Sequence, residues 1–208
     1  MICGCTQLEQ LEPSKFNINS DEKVSNQSFE GETIEETKFP GVEFQDCYFK
    51  KMDFTGCKFP FSSFLDVTFE NCDLSTVDFS KTALHRCHFK GCKMMGTIIC
   101  DASVQNVLFE NNMSKYINFS GSKLKKVDLL ECDLSNGSMY QTELKNVTFN
   151  LCRLYCFEFL HTSLNNIDLS TCDIEGMAVN TKDLRGLMVS EIQAISLARL
   201  LGILIKET

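Results

Sequence analysis

His85, Cys87, His88 and Cys92 bring two imidazoles and two thiols into one short stretch, the donor set that a tetrahedral zinc site uses. Cys3 and Cys5 form a CxC pair near the start, and the chain holds 12 cysteines in 208 residues, enough for a disulfide framework. A third group is acidic: Asp46 and Asp66, and likewise Asp53 and Asp73, stand twenty residues apart. Whether any of these groups converges depends on the elements that carry them.

Those elements follow one rule. From Phe29 to Val189 every fifth residue is Phe, Leu, Ile, Met or Val, with Ser114 alone excepted. A period of five fits neither the 3.6 of a helix nor the 2.0 of a strand, so the chain is a repeat architecture. Two residues before each large one the side chain is mostly small, as at Val42, Cys47, Ser62, Val67, Cys72, Thr82, Cys87, Cys92 and Ala102. The fragments "DFTGC", "FENCDLSTVDFS" and "IDLSTCDI" show the unit as small, polar, large, polar, polar.

These residues resemble the pentapeptide-repeat family. The resemblance implies an all-β fold, a right-handed quadrilateral β-helix in which the large and the small residue both point inward. With four repeats per coil the centres make about eight coils, roughly 40 Å long at the ~4.8 Å spacing of neighbouring strands. Residues twenty apart are then stacked. Glu30, Lys50, Glu70, Lys90 and Glu110 form an outward column of alternating charge beside a Phe29, Phe49, Phe69, Phe89, Phe109 column.

The repeat also reassigns the candidate chemistry. Cys87 and Cys92 fall at inward positions while His85 and His88 fall at outward ones, so the four donors diverge and no metal is expected. Eight cysteines occupy the small inward position, where Cys acts as a small buried hydrophobe. Cys132, Cys152 and Cys172 stack one coil apart within reach of disulfide formation, an arrangement that suits a reducing compartment. The chain has no GxGxxG, Walker or HExxH motif. Ser and Asp recur because outward positions favour side chains that bond turn backbone. The expectation is a non-enzyme without cofactors.

Charge is zoned within a formal total of −8. The stretch to residue 80 is acidic. Residues 81–126 are basic, carrying Lys81, Arg86, Lys90, Lys93, Lys115, Lys123, Lys125 and Lys126 against Asp101 and Glu110, and the remainder is acidic again. Stacking Asp46 on Asp66 and Asp53 on Asp73 opposes like charges, which turn hydrogen bonds or a cationic partner must offset. At "ENNMSKY" Asn112 and Ser114 occupy both inward positions of one repeat, and an unpartnered buried polar group costs ~1 to 3 kcal/mol. A bulge or loop over 111–116 that pushes Met113 and Tyr116 outward is expected.

Residues 1–26 lack the period and read as an N-terminal lead-in or cap, aided by Leu8, Leu11 and Phe16, ahead of the repeats at 27–189. Residues 190–208 read as a helix opened by a Ser190/Gln193 capping box and closed by Gly202, followed by "ILI" as a short strand. The helix is apolar nearly all round, so a dimer interface is expected from Leu184, Leu187, Ile192, Ile195, Leu197, Leu200, Leu201 and Ile203. The start lacks the pattern of a signal peptide and no run reaches the ~20 apolar residues of a membrane span, so the expected location is the cytoplasm.

Three stretches narrow the resemblance to the quinolone-resistance (Qnr) branch: "SFEGETIEETKF" at 28–39, "GCKMMGTII" at 91–99 and "DLRGLMVSEIQAISLARLLGILI" at 183–205. That branch implies a homodimer joined through its C-terminus. It imitates duplex DNA, binds DNA gyrase or topoisomerase IV and shields it from quinolones, with no direct nucleic-acid binding expected. The partner contacts would be Asp46, Asp53, Asp66 and Asp73 with Met113 and Tyr116. Two departures stand against this, the absence of a repeat-breaking loop in the early coils and the basic mid-belt. A pentapeptide-repeat scaffold with another partner is the alternative.

Overall fold

The structure, a computed structural model, describes residues 12–206; Cys3, Cys5, Leu8 and Leu11 lie outside the described residues. It is a four-sided β-helix built from one parallel sheet of eight strands: β1 (Lys23–Glu30), β2 (Glu43–Lys50), β3 (Ser63–Glu70), β4 (Ala83–His85), β5 (His88–Lys90), β6 (Ser103–Glu110), β7 (Lys123–Leu130) and β8 (Glu143–Asn150). Successive strands pair in a register of twenty, as in Phe29↔Phe49 and Phe49↔Phe69. β4 and β5 are two halves of one rung, so the sheet has seven rungs, and isolated bridges carry the register on to Asp168↔Met188. The repeat starts a few residues earlier than the sequence pattern marks it, at Lys23.

The period of five exists because each side of the coil turns a corner. The corner residue, two after each large one, is left-handed almost throughout: Asn26, Asp46, Asp66, Arg86, Asn106, Lys126 and Asn146 have φ between 50 and 55°. Gly, Asn and Asp enter this region at little steric expense, so Gly31, Gly91, Asn71 and Asn111 are apt there. Phe61, Thr76, Tyr116 and Leu151 adopt the same conformation, with φ of 60, 56, 61 and 52°. For bulky or β-branched side chains it is a strained one.

Inside, the large residues stack in columns. Phe29, Phe49, Phe69, Phe89 and Phe109 are all buried, with consecutive ring centroids 4.9 to 5.2 Å apart and interplanar angles of 6 to 14°. Burying each ring against the next coil is the main driving force for stacking the coils. Volume is balanced along another column, where Gly137 sits between Ile117 and Phe157. A Cβ on Gly137 would lie 2.7 Å from the Phe157 ring and 2.8 Å from the Ile117 carbonyl oxygen.

The small inward position is a polar crosslink between coils as well as a filler. Ser62 Oγ donates to Phe39 O (3.0 Å) and accepts from Val42 N (3.1 Å), and Ser122 repeats this with Ile99 O (2.5 Å) and Ala102 N (2.8 Å). Cysteine thiols donate the same way, Cys87 to Phe64 O (3.3 Å) and Cys152 to Leu129 O (3.3 Å). The ten described cysteines are free thiols, eight of them buried.

This crosslink overturns the bulge expected over 111–116. Asn112 Nδ2 donates to Phe89 O (2.9 Å) while its Oδ1 accepts from Cys92 N (2.7 Å). The amide therefore supplies both bonds that a serine makes elsewhere, and it is buried without penalty. Ser114 is also buried, and the stretch keeps the regular register Lys93↔Met113↔Asp133.

Both ends are closed. Phe16 covers the first coil, its ring 5.3 to 6.4 Å from those of Phe29, Phe39, Phe44, Phe49 and Phe54, anchored by Phe16 N–H to Glu32 Oε1 (2.9 Å). At the other end α1 (Glu191–Ala198) opens with the expected capping box: Ser190 Oγ accepts from Gln193 N and Gln193 Oε1 from Ser190 N. Gln193 Nε2 also donates to Leu169 O (2.9 Å) and Cys172 O (2.7 Å), fixing the helix on the last coil. A 3₁₀ turn (Arg199–Leu201) ends at left-handed Gly202. Ile203–Ile205, read as a strand, pairs with no strand of its own chain among the described residues, and Ile203 N–H bonds Ala198 O (3.3 Å). Among the described residues no helix is long and apolar enough to cross a membrane.

Candidate interaction surface

The acidic residues expected to meet a partner are distributed over separate parts of the rod. Asp53 and Asp73 are bridge neighbours on the side that follows the Lys51/Asn71 corner, in the column Asp53↔Asp73↔Lys93↔Met113. Asp46 and Asp66 occupy another corner, with φ of 50 and 54°. The structure thus brings Asp53, Asp73 and Met113 into one column, with Tyr116 at the adjoining corner, and sets Asp46 and Asp66 apart.

Most of these carboxylates are engaged inside the chain. Asp53 Oδ1 accepts from Thr55 N (2.9 Å) and Asp73 Oδ1 from Ser75 N (3.1 Å), the local turn bonding that relieves like-charge stacking. Lys93 lies 3.5 Å from Asp73. Burial works against ionisation of Asp73, yet the Ser75 hydroxyl and N–H together with Lys93 hold it below its ordinary value. Asp66 is gripped by Arg86 through Nε (2.6 Å) and Nη2 (2.5 Å), a bidentate pair one coil apart. Gln45 Nε2 donates to Asp46 Oδ2 (3.1 Å).

The alternating column is realised as ion pairs, Lys50 to Glu30 at 3.8 Å and Lys90 to Glu70 at 3.7 Å. Glu110 at its end takes His88 Nε2 at 2.9 Å. His85 Nε2 lies 3.1 Å from Asn106 Nδ2, while the buried thiols of Cys87 and Cys92 point to Phe64 O and Phe69 O. The imidazoles and thiols therefore lie on opposite sides of the wall. Among the described residues no group of three or more His, Cys, Asp or Glu could hold a metal ion.

Two apolar surfaces stand out. Met113 and Tyr116 are each 57% exposed, and Met95 and Ile98 are exposed on the coil below. They project because they hold ordinary outward positions, not because the backbone bulges. Sequence reading missed Met95 and Ile98, although "KMMGTII" sets them at outward positions of the repeat. The second surface is C-terminal. Ile192 (80%), Ile195, Leu200 and Ile203 are exposed, whereas Leu184, Leu187 and Leu197 pack partly buried against the core of their own chain. The Leu201 side chain lies outside the described set.

Residues 62–137, over a third of the chain, match the family model of the pentapeptide repeat region. Among solved structures, this chain is similar to HetL, a pentapeptide repeat protein involved in heterocyst differentiation regulation from Nostoc sp. strain PCC 7120, at 10% identity over 85% of this chain and 89% of that one, TM-score 0.46. It is similar to full-length QnrB1, a plasmid-mediated fluoroquinolone resistance protein, at 16% identity over 88% and 99%, TM-score 0.35. A pentapeptide repeat protein of the Arabidopsis thaliana thylakoid lumen shares 23% identity over 48% and 66%, TM-score 0.40. A search of curated proteins finds no match.

Proposed function

We propose that this chain is a non-catalytic, cytoplasmic interaction protein of the pentapeptide-repeat family whose rod docks on a type II topoisomerase, DNA gyrase or topoisomerase IV, and protects it from quinolones. The observation that carries the reading is the C-terminal segment, the most specific part of the likeness to the Qnr branch. It lies outside the generic repeat, is fixed on the last coil by Gln193, and leaves Ile192, Ile195, Leu200 and Ile203 exposed. Such a face suits a second copy of the chain, giving a two-fold rod. The enzyme would meet the acidic early coils at Asp46 and Asp53 and the apolar patch at Met113 and Tyr116. A gyrase supercoiling assay with a quinolone, with and without the protein, tests the reading.

A second reading is a repeat scaffold for a different partner. The observation favouring it is that Asp66 and Asp73 are already paired with Arg86 and Lys93, which dilutes any DNA-like run of negative charge.

A further inference from the structure

The coils part on one side of the rod. Up to β8 each rung is bonded to its neighbours along the whole sheet, but no backbone hydrogen bond joins 143–150 to 163–170. The next coil makes the equivalent bonds on its far side, Leu164 N–H to Asp183 O and Asn166 N–H to Gly186 O, both at 3.0 Å. The N–H groups of Leu144 and Asn146, which hold the same positions one coil earlier, make no such bond to 163–170. Pairing persists on the other sides of the same coil through Arg153↔Asp173 and Glu158↔Ala178. The gap is therefore local. It forms a groove of about 850 Å³ against Glu143–Val147, continued by one of about 280 Å³ against Val147–Asn150.

An unpaired strand edge is a template for another strand. The side chains beside this one are basic. Lys125 and Lys145 are direct cross-strand partners, and Lys126 stands at the adjoining left-handed corner. Lys123 is 3.5 Å from Glu143, whereas no ion pair is recorded among the described residues for Lys125, Lys126 or Lys145. Stacked like charges oppose folding, so this edge is built for a negatively charged neighbour. The far half of the groove meets Asp168, which requires an uncharged stretch there.

We propose that the open edge of β8 is a strand-addition site for an extended peptide segment of a partner protein, acidic where it passes Lys125 and Lys145 and uncharged where it passes Asp168. Backbone pairing with Leu144 and Asn146 supplies affinity, and the lysines fix direction and sequence preference. A free phosphate could meet the lysines but would leave the strand's carbonyl groups without donors.

The test uses the full chain and a fluorescent peptide of sequence Glu-Val-Glu-Val-Thr-Val-Thr. Saturable binding should be weakened roughly tenfold or more by Lys125→Glu combined with Lys145→Glu. It should also be lost when alternate peptide amides are N-methylated, a change that keeps charge but removes donors. Amide hydrogen exchange at Leu144 and Asn146 should slow when the peptide is bound. Equal binding of the N-methylated peptide, or full competition by tripolyphosphate, would reduce the site to a plain anion patch and overturn the proposal. So would sedimentation showing self-association that the same double substitution abolishes, since the occupant would then be a second copy.

Discussion

The rings of Phe69 and Phe89, twenty residues apart, lie parallel at 6° with centroids 5.0 Å apart, and neither is more than 1% exposed. Each coil is thus held by its neighbours rather than by itself. Phe69→Ala should lower stability by roughly 3 to 5 kcal/mol, as for other buried Phe truncations. Chemical denaturation checks it, and a loss below about 1 kcal/mol would contradict the stacked column.

Asn112 offers a sharper test of the crosslink. Asn112→Ala removes the partners of both Cys92 N–H and Phe89 O and should cost about 1 to 3 kcal/mol. Asn112→Ser should be milder, because Ser62 and Ser122 make the same two bonds from the same kind of position. Equal losses for the two variants would mean that volume, not hydrogen bonding, sets the choice.

The five-residue period was legible because a large side chain cannot leave the interior without losing its burial, and the Ser190/Gln193 cap was legible because its two partners are local. The loop expected at 111–116 failed for the opposite reason. Asn112 looks unpartnered in sequence, and its partners belong to the coil before. The left-handed corners left a trace in Gly31, Asn71, Gly91, Asn111 and Asn136, blurred by Lys51, Phe61 and Leu151 at equivalent places. Arg86 follows Asp66 by one coil, so that clamp could have been read from the register. The open edge of β8 could not, since Glu143–Asn146 reads like every earlier rung.

Strain at exposed corners separates stability from recognition. Phe61 and Leu151 are 69% and 58% exposed at φ of 60 and 52°. Replacing either with Asn should leave stability unchanged or raise it by up to about 1 kcal/mol of relieved backbone strain. Tyr116→Asn should do the same while reducing partner protection. A fall in melting temperature would show that the ring contributes packing instead.

Stability should fall at both ends of the pH range. The Ser170 hydroxyl and N–H lower Asp168; Asp73 and Asp133 are lowered by Ser75 and Ser135 with Lys93 and Lys115, against the effect of burial. Their contribution is full above the ordinary value of 3.8 and is lost as pH falls below it. At the alkaline end burial pushes Cys47 from 9.0 up to about 11. The unfolded Cys47 thiol ionises first, so this part of the stability is complete below pH 9 and declines as pH rises toward 11. Thermal melts across pH check both limbs, and a melting temperature that is flat from pH 8 to about 11 would contradict the thiol assignment.

The proposed protection of a type II topoisomerase is measured most directly by gyrase supercoiling inhibited by ciprofloxacin. The protein is expected to restore supercoiling, added salt to weaken the effect, and Met113→Ser with Tyr116→Ser to reduce it while leaving the fold intact. No restoration with either gyrase or topoisomerase IV, from protein shown to be folded, would contradict the claim and leave the scaffold reading in its place.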